Sequence, residues 1–84
     1  MVIDGDAKIS QYSKKSNLHS FRIKSNGGAT IVDNTFYFPG WTAKIDSKEV
    51  PIEFQNILYR GLIIFSLPKG DHFVTVVFRE KGVH

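Results

Sequence analysis

Catalysis in this chain would have to run through three histidines, a few carboxylates and hydroxyls, because the sequence contains no cysteine. A nucleophilic site needs a base within reach of a hydroxyl, and donors aimed at the charge that develops. His72 follows Asp71, where a carboxylate could orient an imidazole. No serine near it sits between the glycines of a nucleophile elbow. His19 has no metal-ligand spacing to His72 or His84. Asp4-Gly5-Asp6 has the opening of a calcium loop, but the pattern stops after two carboxylates and no glutamate closes it. Glu49 and Glu53 fall on or near one strand, with Glu53 facing outward, rather than across a cleft as a glycosidase pair would. Gly27-Gly28 is not followed by the Lys-Ser/Thr of a phosphate loop. The residues predict a protein that is not an enzyme, with no metal ligands and no cofactor.

Aromatic residues offer a binding chemistry instead. Phe36, Tyr37, Phe38 and Trp41 crowd around Pro39-Gly40, and exposed rings can stack on sugars or bases. Tyr37 and Trp41 are the candidate carbohydrate-binding residues. The same cluster can equally be the sandwich's core, and for Trp41 the alternation with Ala43 and Ile45 favours a core position, mostly buried. Lys14, Lys15, Arg22 and Lys24 could form a modest anion-binding stripe. A formal charge of +3 from eleven Lys+Arg and eight Asp+Glu is too small and too scattered to indicate nucleic acid.

These groups must be held by strands. At 84 residues, with 42% hydrophobic and 23% charged residues, the chain is one small globular domain, 1–84, rather than a disordered segment. Turn residues recur every eight to twelve positions between β-branched and aromatic runs, and no helical periodicity is sustained. The pattern predicts an all-β fold: a small antiparallel β-sandwich, jelly-roll or immunoglobulin-like, of about seven to eight strands. After the turn-rich Asp4-Gly5-Asp6, strands are expected over Lys8–Ser13, Leu18–Lys24 and Ala29–Phe38. The polar stretch 14–17 and the turn Asn26-Gly27-Gly28 separate them. A bulge is expected near Asp33-Asn34, and Pro39-Gly40 ends the third strand.

Two hairpins should follow. In the first, a four-residue loop pairs Ile45 with Val50, Ala43 with Ile52 and Trp41 with Phe54; a two-residue loop at Asp46-Ser47 keeps the same face inward. Pro51 places the returning segment at a sheet edge. In the second hairpin, Gly61–Leu67 and His72–Arg79 flank the loop Pro68-Lys69-Gly70-Asp71. Its inner pairs would be Leu67–His72, Phe65–Val74, Ile63–Val76 and Gly61–Phe78. Leu62, Ile64, Phe73 and Val77 would then face outward, in the pairs Leu62–Val77, Ile64–Thr75 and Ser66–Phe73. Such an apolar outer face is either covered by the N-terminal segment or the Asn56–Tyr59 connection, or is a candidate interaction surface for the membrane part of a parent protein, a second copy or a partner. Residues 81–84 read as a frayed end.

The segment Tyr37-Phe38-Pro39-Gly40-Trp41-Thr42-Ala43-Lys44-Ile45-Asp46-Ser47-Lys48-Glu49-Val50 and its continuation Gly61-Leu62-Ile63-Ile64-Phe65-Ser66-Leu67-Pro68-Lys69-Gly70-Asp71-His72 carry a resemblance. Together they resemble the C-terminal β-domain of the bacterial membrane protein YfhO family and related polytopic GT-C-type glycosyltransferases. Shared are the aromatic-Pro-Gly-Trp step into a strand, the short hairpin, and the Leu-Pro-x-Gly-x-His turn before a valine-rich strand. Ser47 departs from the glycine usual there. The resemblance implies a non-catalytic accessory domain for packing, substrate presentation or partner binding. Its partners would be the membrane-embedded part of a parent protein, another protein or a glycan, and not nucleic acid. It would lie on the extracytoplasmic face of the cell membrane; as a chain complete in itself, lacking a secretory leader, it would be cytoplasmic. The alternatives are a carbohydrate-binding module and a stand-alone protein binding through a sheet edge or an apolar face.

Overall fold

A computed structural model describes residues 1–79; the expected frayed end and His84 lie outside the described residues. Among the described residues there are six strands, β1 (Val2–Lys14), β2 (Leu18–Phe36), β3 (Trp41–Ile45), β4 (Lys48–Val50), β5 (Leu62–Leu67) and β6 (Gly70–Phe78). The chain is all-β and antiparallel, a small sandwich with slightly fewer strands than its turn spacing suggests.

The long strand β2 organises it. β1 lies along one side of β2 from His19 to Ile31. On the other side, β6 pairs with residues 18–25 and β5 with residues 29–36. The two segments expected as separate strands on either side of Asn26-Gly27-Gly28 are therefore one strand. Its inward residues from both halves, Phe21 and Ile23 with Ala29 and Ile31, share one buried cluster with Ala43, Ile45, Ile63, Phe65, Leu67, Val74 and Val76. That is possible only if the sheet folds over on itself. Residues 26–28 make the crease rather than a hairpin turn.

The crease has its own chemistry. Gly5 and Gly28 adopt φ of 83° and 93°, in the left-handed region that side chains other than glycine's enter at a cost. β1 changes register between Gly5 and Ala7, opposite the crease in β2. A Cβ on Gly5 would stand 2.4 Å from the Gly28 carbonyl oxygen, so the two strands touch backbone to backbone here. Ser25, buried, ties the corner: its hydroxyl donates to the Asp6 carbonyl at 2.7 Å and accepts from the Gly28 N–H at 2.9 Å.

β5 and β6 follow the same crease. Leu67 pairs with Ala29 and Gly70 with Ser25, so Pro68-Lys69 rounds the corner alongside β2. The expected hairpin between these two segments does not form, nor do its cross-strand pairs. Inward parity was read correctly for Ile63, Phe65, Leu67, Val74 and Val76, all buried. Alternation fixes which face a residue takes, but not which strand lies beside it, and β2 is long enough to partner both.

β3 and β4 extend the β6 side in the order β1-β2-β6-β3-β4. Their turn is the two-residue form, Asp46-Ser47, with Ile45 opposite Lys48 and Ala43 opposite Val50. Both turn residues have positive φ, 50° and 70°, the geometry that matches the strand twist. Trp41 pairs with Phe78 rather than Phe54. β4 stops before Pro51 and is an edge, as the proline requires. Beyond it, Glu53 alone pairs again, exchanging backbone hydrogen bonds with Ile64 of β5.

The crease makes graded demands on its glycines. Gly5→Ala should cost at least about 1–3 kcal/mol, from positive φ and a backbone clash together. Gly27→Ala, with nothing within 4 Å of the added carbon, should be nearly neutral. Urea denaturation of the two variants checks the order; equal stabilities would mean that the corner is not held by close approach.

Candidate functional site

Where the two halves of the folded sheet come back together, the core ends in a polar pair. His19 and Asp33 are both inward residues of β2, and both are buried. The His19 Nδ1 lies 2.6 Å from Asp33 Oδ2. The Thr35 hydroxyl donates to the other carboxylate oxygen at 2.5 Å. Both oxygens of a carboxylate removed from water are thus partnered, as burial demands. The Trp41 ring stands over His19, with centroids 5.4 Å apart, and packs on its other neighbour, Phe78, at the same spacing.

Outside this pair lies a groove of about 360 Å³, lined by Ser16, Thr35, Phe36, Phe38, Trp41 and Phe78. Phe36 and Phe38 are 64% and 62% exposed. Their position follows from local backbone. β2 shifts register between Asp33 and Phe36, the expected bulge, and the shift ends the buried run of the strand. Tyr37, between them, turns the other way and stacks on Phe54 with ring centroids 4.5 Å apart. The floor is fixed by backbone bonds: Arg79 N–H to the Gly40 carbonyl, Phe78 N–H to Asn17, and Trp41 N–H to Phe38.

The sequence-derived candidates are distributed as follows. Trp41 is half-buried at the groove, whereas Tyr37 packs against the core with Phe54, so the two do not form one stacking platform. Leu62, Ile64, Phe73 and Val77 do not share a ribbon, because β5 and β6 do not pair. Ile64 is buried, Leu62 and Val77 are half-buried, and Phe73, 42% exposed, lies under the Arg22 guanidinium. The basic stripe is divided: Arg22 and Lys24 lie beside β6, while Lys14 and Lys15 adjoin the groove end. His72 does bond a carboxylate, but that of Asp46 rather than Asp71, which pairs with Lys24. Phe36 and Phe38 were read as part of the aromatic cluster but not singled out with Tyr37 and Trp41, and Phe78 and the His19–Asp33 pair were missed. The exposed phenylalanines had one sequence signal, their shared parity on either side of Tyr37 just before Pro39-Gly40.

The second imidazole site is simpler. Its Nδ1 lies 2.6 Å from Asp46 Oδ2 and its Nε2 3.0 Å from the Lys69 carbonyl. Both partners are acceptors, so the site favours the ring with a proton on each nitrogen. Asp46 also accepts the Phe73 N–H at 2.9 Å. This clamp ties the β3–β4 turn to the start of β6. Among the described residues no cluster of three His, Asp or Glu side chains could hold a metal ion, and neither imidazole bonds a hydroxyl.

Comparison of the chain with protein-family models, curated proteins and solved structures returns no match.

Two measurements follow from the two pairs. Asp33→Ala strands the His19 nitrogen and the Thr35 hydroxyl, and should cost about 1–3 kcal/mol; a double-mutant cycle with His19→Leu should recover part of that loss, and strict additivity would show the pair uncoupled. At the clamp, the hydrogen bond to Asp46, then that to Lys69, raises the His72 pKa above its ordinary 6.5. The bonds from His72 and from the Phe73 N–H lower that of Asp46 below 3.8. The His72 contribution is complete below 6.5 and fades as pH rises through its raised folded-state value. The Asp46 contribution is complete above 3.8 and fades as pH falls through its lowered value. Stability attributable to the clamp should therefore be greatest between those limits, and His72→Gln should flatten that part of the profile. An NMR titration placing His72 at or below 6.5 would contradict the clamp.

Proposed function

We propose that this chain is a non-catalytic β-sandwich accessory module of a membrane glycosyltransferase-like protein, working through the aromatic end of the sandwich. The observation that carries the reading is the groove. Four aromatic side chains, two of them mostly exposed, stand on a frame that backbone hydrogen bonds and the His19–Asp33 pair hold rigid. Exposed aromatic residues on a rigid support are characteristic of binding surfaces. The residues resembling the YfhO family's aromatic-Pro-Gly-Trp step, Phe38-Pro39-Gly40-Trp41, lie at this same groove. The two described imidazoles, His19 and His72, are each held by a structural carboxylate, which supports a role without catalysis.

Glycan binding is the second reading, favoured by the ring faces of Trp41 and Phe36 beside the Thr35 and Ser16 hydroxyls. Such a site would not use Tyr37. Pairing through a sheet edge has less support. β1, the long free edge, breaks register three times in thirteen residues, and bulges of this kind discourage a further strand from adding.

The genomic locus and an activity screen test the proposal. The reading frame that encodes these residues should continue into several segments of about 20 consecutive apolar residues, the length that spans a bilayer. The purified chain should turn over no activated sugar, ester or phosphate. A frame encoding this domain alone, or turnover abolished by His72→Ala, overturns the reading.

A further inference from the structure

The same end of the molecule carries a second feature that the groove does not explain. The segment between Glu53 and β5 is a closed loop. The Gly61 N–H bonds the Phe54 carbonyl, the Leu62 N–H bonds Tyr59, and Asn56 Oδ1 accepts from both Leu58 and Tyr59 N–H groups. Because Glu53 pairs antiparallel with Ile64, the chain after Glu53 runs toward the beginning of β5, where Leu62 pairs with Phe36. At the loop's tip are Ile57 and Leu58, 81% and 82% exposed. The Asn56 cap holds two aliphatic side chains outward where polar residues would be expected.

Among the described residues, the exposed charges that flank the groove and the loop tip are cationic, apart from Glu53 at the base of the loop. Lys14 and Lys15 lead into the turn whose Ser16 lines the groove, Arg79 bonds Gly40 through its backbone, and Arg60 follows the loop tip. Exposed carboxylates among the described residues lie elsewhere. Asp6 and Asp71 are at the crease, beside Ser25 and Lys24; Asp4 is opposite Thr30; Asp46 and Glu49 belong to the β3–β4 hairpin. Glu53, at the base of the loop, is the nearest.

We propose that this end docks on the surface of an anionic lipid bilayer. Ile57 and Leu58, with Phe36 and Phe38, would enter the headgroup–acyl boundary, and Lys14, Lys15, Arg60 and Arg79 would face the lipid phosphates. A convex tip of protruding side chains suits a fluid phase, which needs no matching pocket. The surrounding cations supply the complementary charge that such binding uses. The inference deepens the accessory-module reading and rests on it only for the choice of this end as the working surface.

Vesicle flotation of the 84-residue chain tests the proposal. At low salt the protein should float with equimolar phosphatidylglycerol–phosphatidylcholine vesicles, much less with phosphatidylcholine alone, and added salt should release it. Ile57→Ser with Leu58→Ser should lower partitioning at least about tenfold. Lys15→Glu with Arg60→Glu should cost about fivefold or more for each charge and remove the preference for anionic lipid. All four positions are exposed, and circular dichroism verifies that each variant is folded; if one is not, the other pair decides. No flotation with either vesicle, equal flotation with both, or wild-type partitioning of a folded tip variant overturns the proposal. None of these results touches the accessory-module reading, which the locus and the activity screen decide.

Discussion

Fourteen positions separate His19 from Asp33 along a single β-strand, yet their side chains meet at 2.6 Å. In a straight strand that interval spans about 46 Å. The contact therefore implies the crease, and the crease implies most of the remaining architecture. Once β2 folds, β1 must bend with it on one side and β5–β6 on the other. The inner faces of the two halves then become each other's core. Gly5, Ser25 and Gly28 serve the fold at one end of this hinge-like corner, and His19 with Asp33 close the opposite end. Long-range closure of this kind in a small domain relies on few contacts, so each matters more than it would in a larger core.

The inward residues Ala43 and Ile45 of β3, Ile63, Phe65 and Leu67 of β5 and Val74 and Val76 of β6 were legible in the alternation, because burial on one face imposes a period of two whatever the neighbours are. Turn chemistry was legible as well, but only as the statement that the chain changes direction. Asn26-Gly27-Gly28 and Pro68-Lys69-Gly70-Asp71 were read as reversals, and both are corners at which paired strands bend together. Glycine at positive φ serves either purpose, and nothing local distinguishes them. The partner of β5 was consequently misassigned, and with it the outward ribbon of Leu62, Ile64, Phe73 and Val77. The Asp46-Ser47 turn shows the converse. Its two-residue length followed from parity as one of two options, and the Asp46 carboxylate, bonding Phe73 and His72 from across the sheet, supports a pair of φ angles that neither residue favours alone.

The aromatic end was hidden for a different reason. Trp41 was read from its own strand, where alternation points it inward, and it does stand at the inner face. What lies above it is not more core but His19, and a buried imidazole–carboxylate pair is invisible until fourteen intervening residues have been folded. Tyr37 and its neighbours could be sorted by parity, yet which side was core depended on the bulge after Asp33. The groove is thus a tertiary product, assembled from the β1–β2 turn, the end of β2, the start of β3 and the end of β6.

The polar closure also explains why the phenylalanines are outside. Had the mouth of the sandwich been sealed by apolar residues, Phe36 and Phe78 could have extended the core. A carboxylate in that position changes the balance, since leaving it partly unpaired would cost more than a phenylalanine gains by entering. Asp33 is instead saturated by His19 and Thr35, and the Trp41 ring packs against the His19 side of this plug at a tilt of 41°. Among the described residues, no further element covers the aromatic surface beyond it. That surface is stacked against the outside of a finished core, where Phe36 and Phe38 remain mostly in solvent. The pair that completes the fold is thus also what leaves an apolar surface available for something other than the fold.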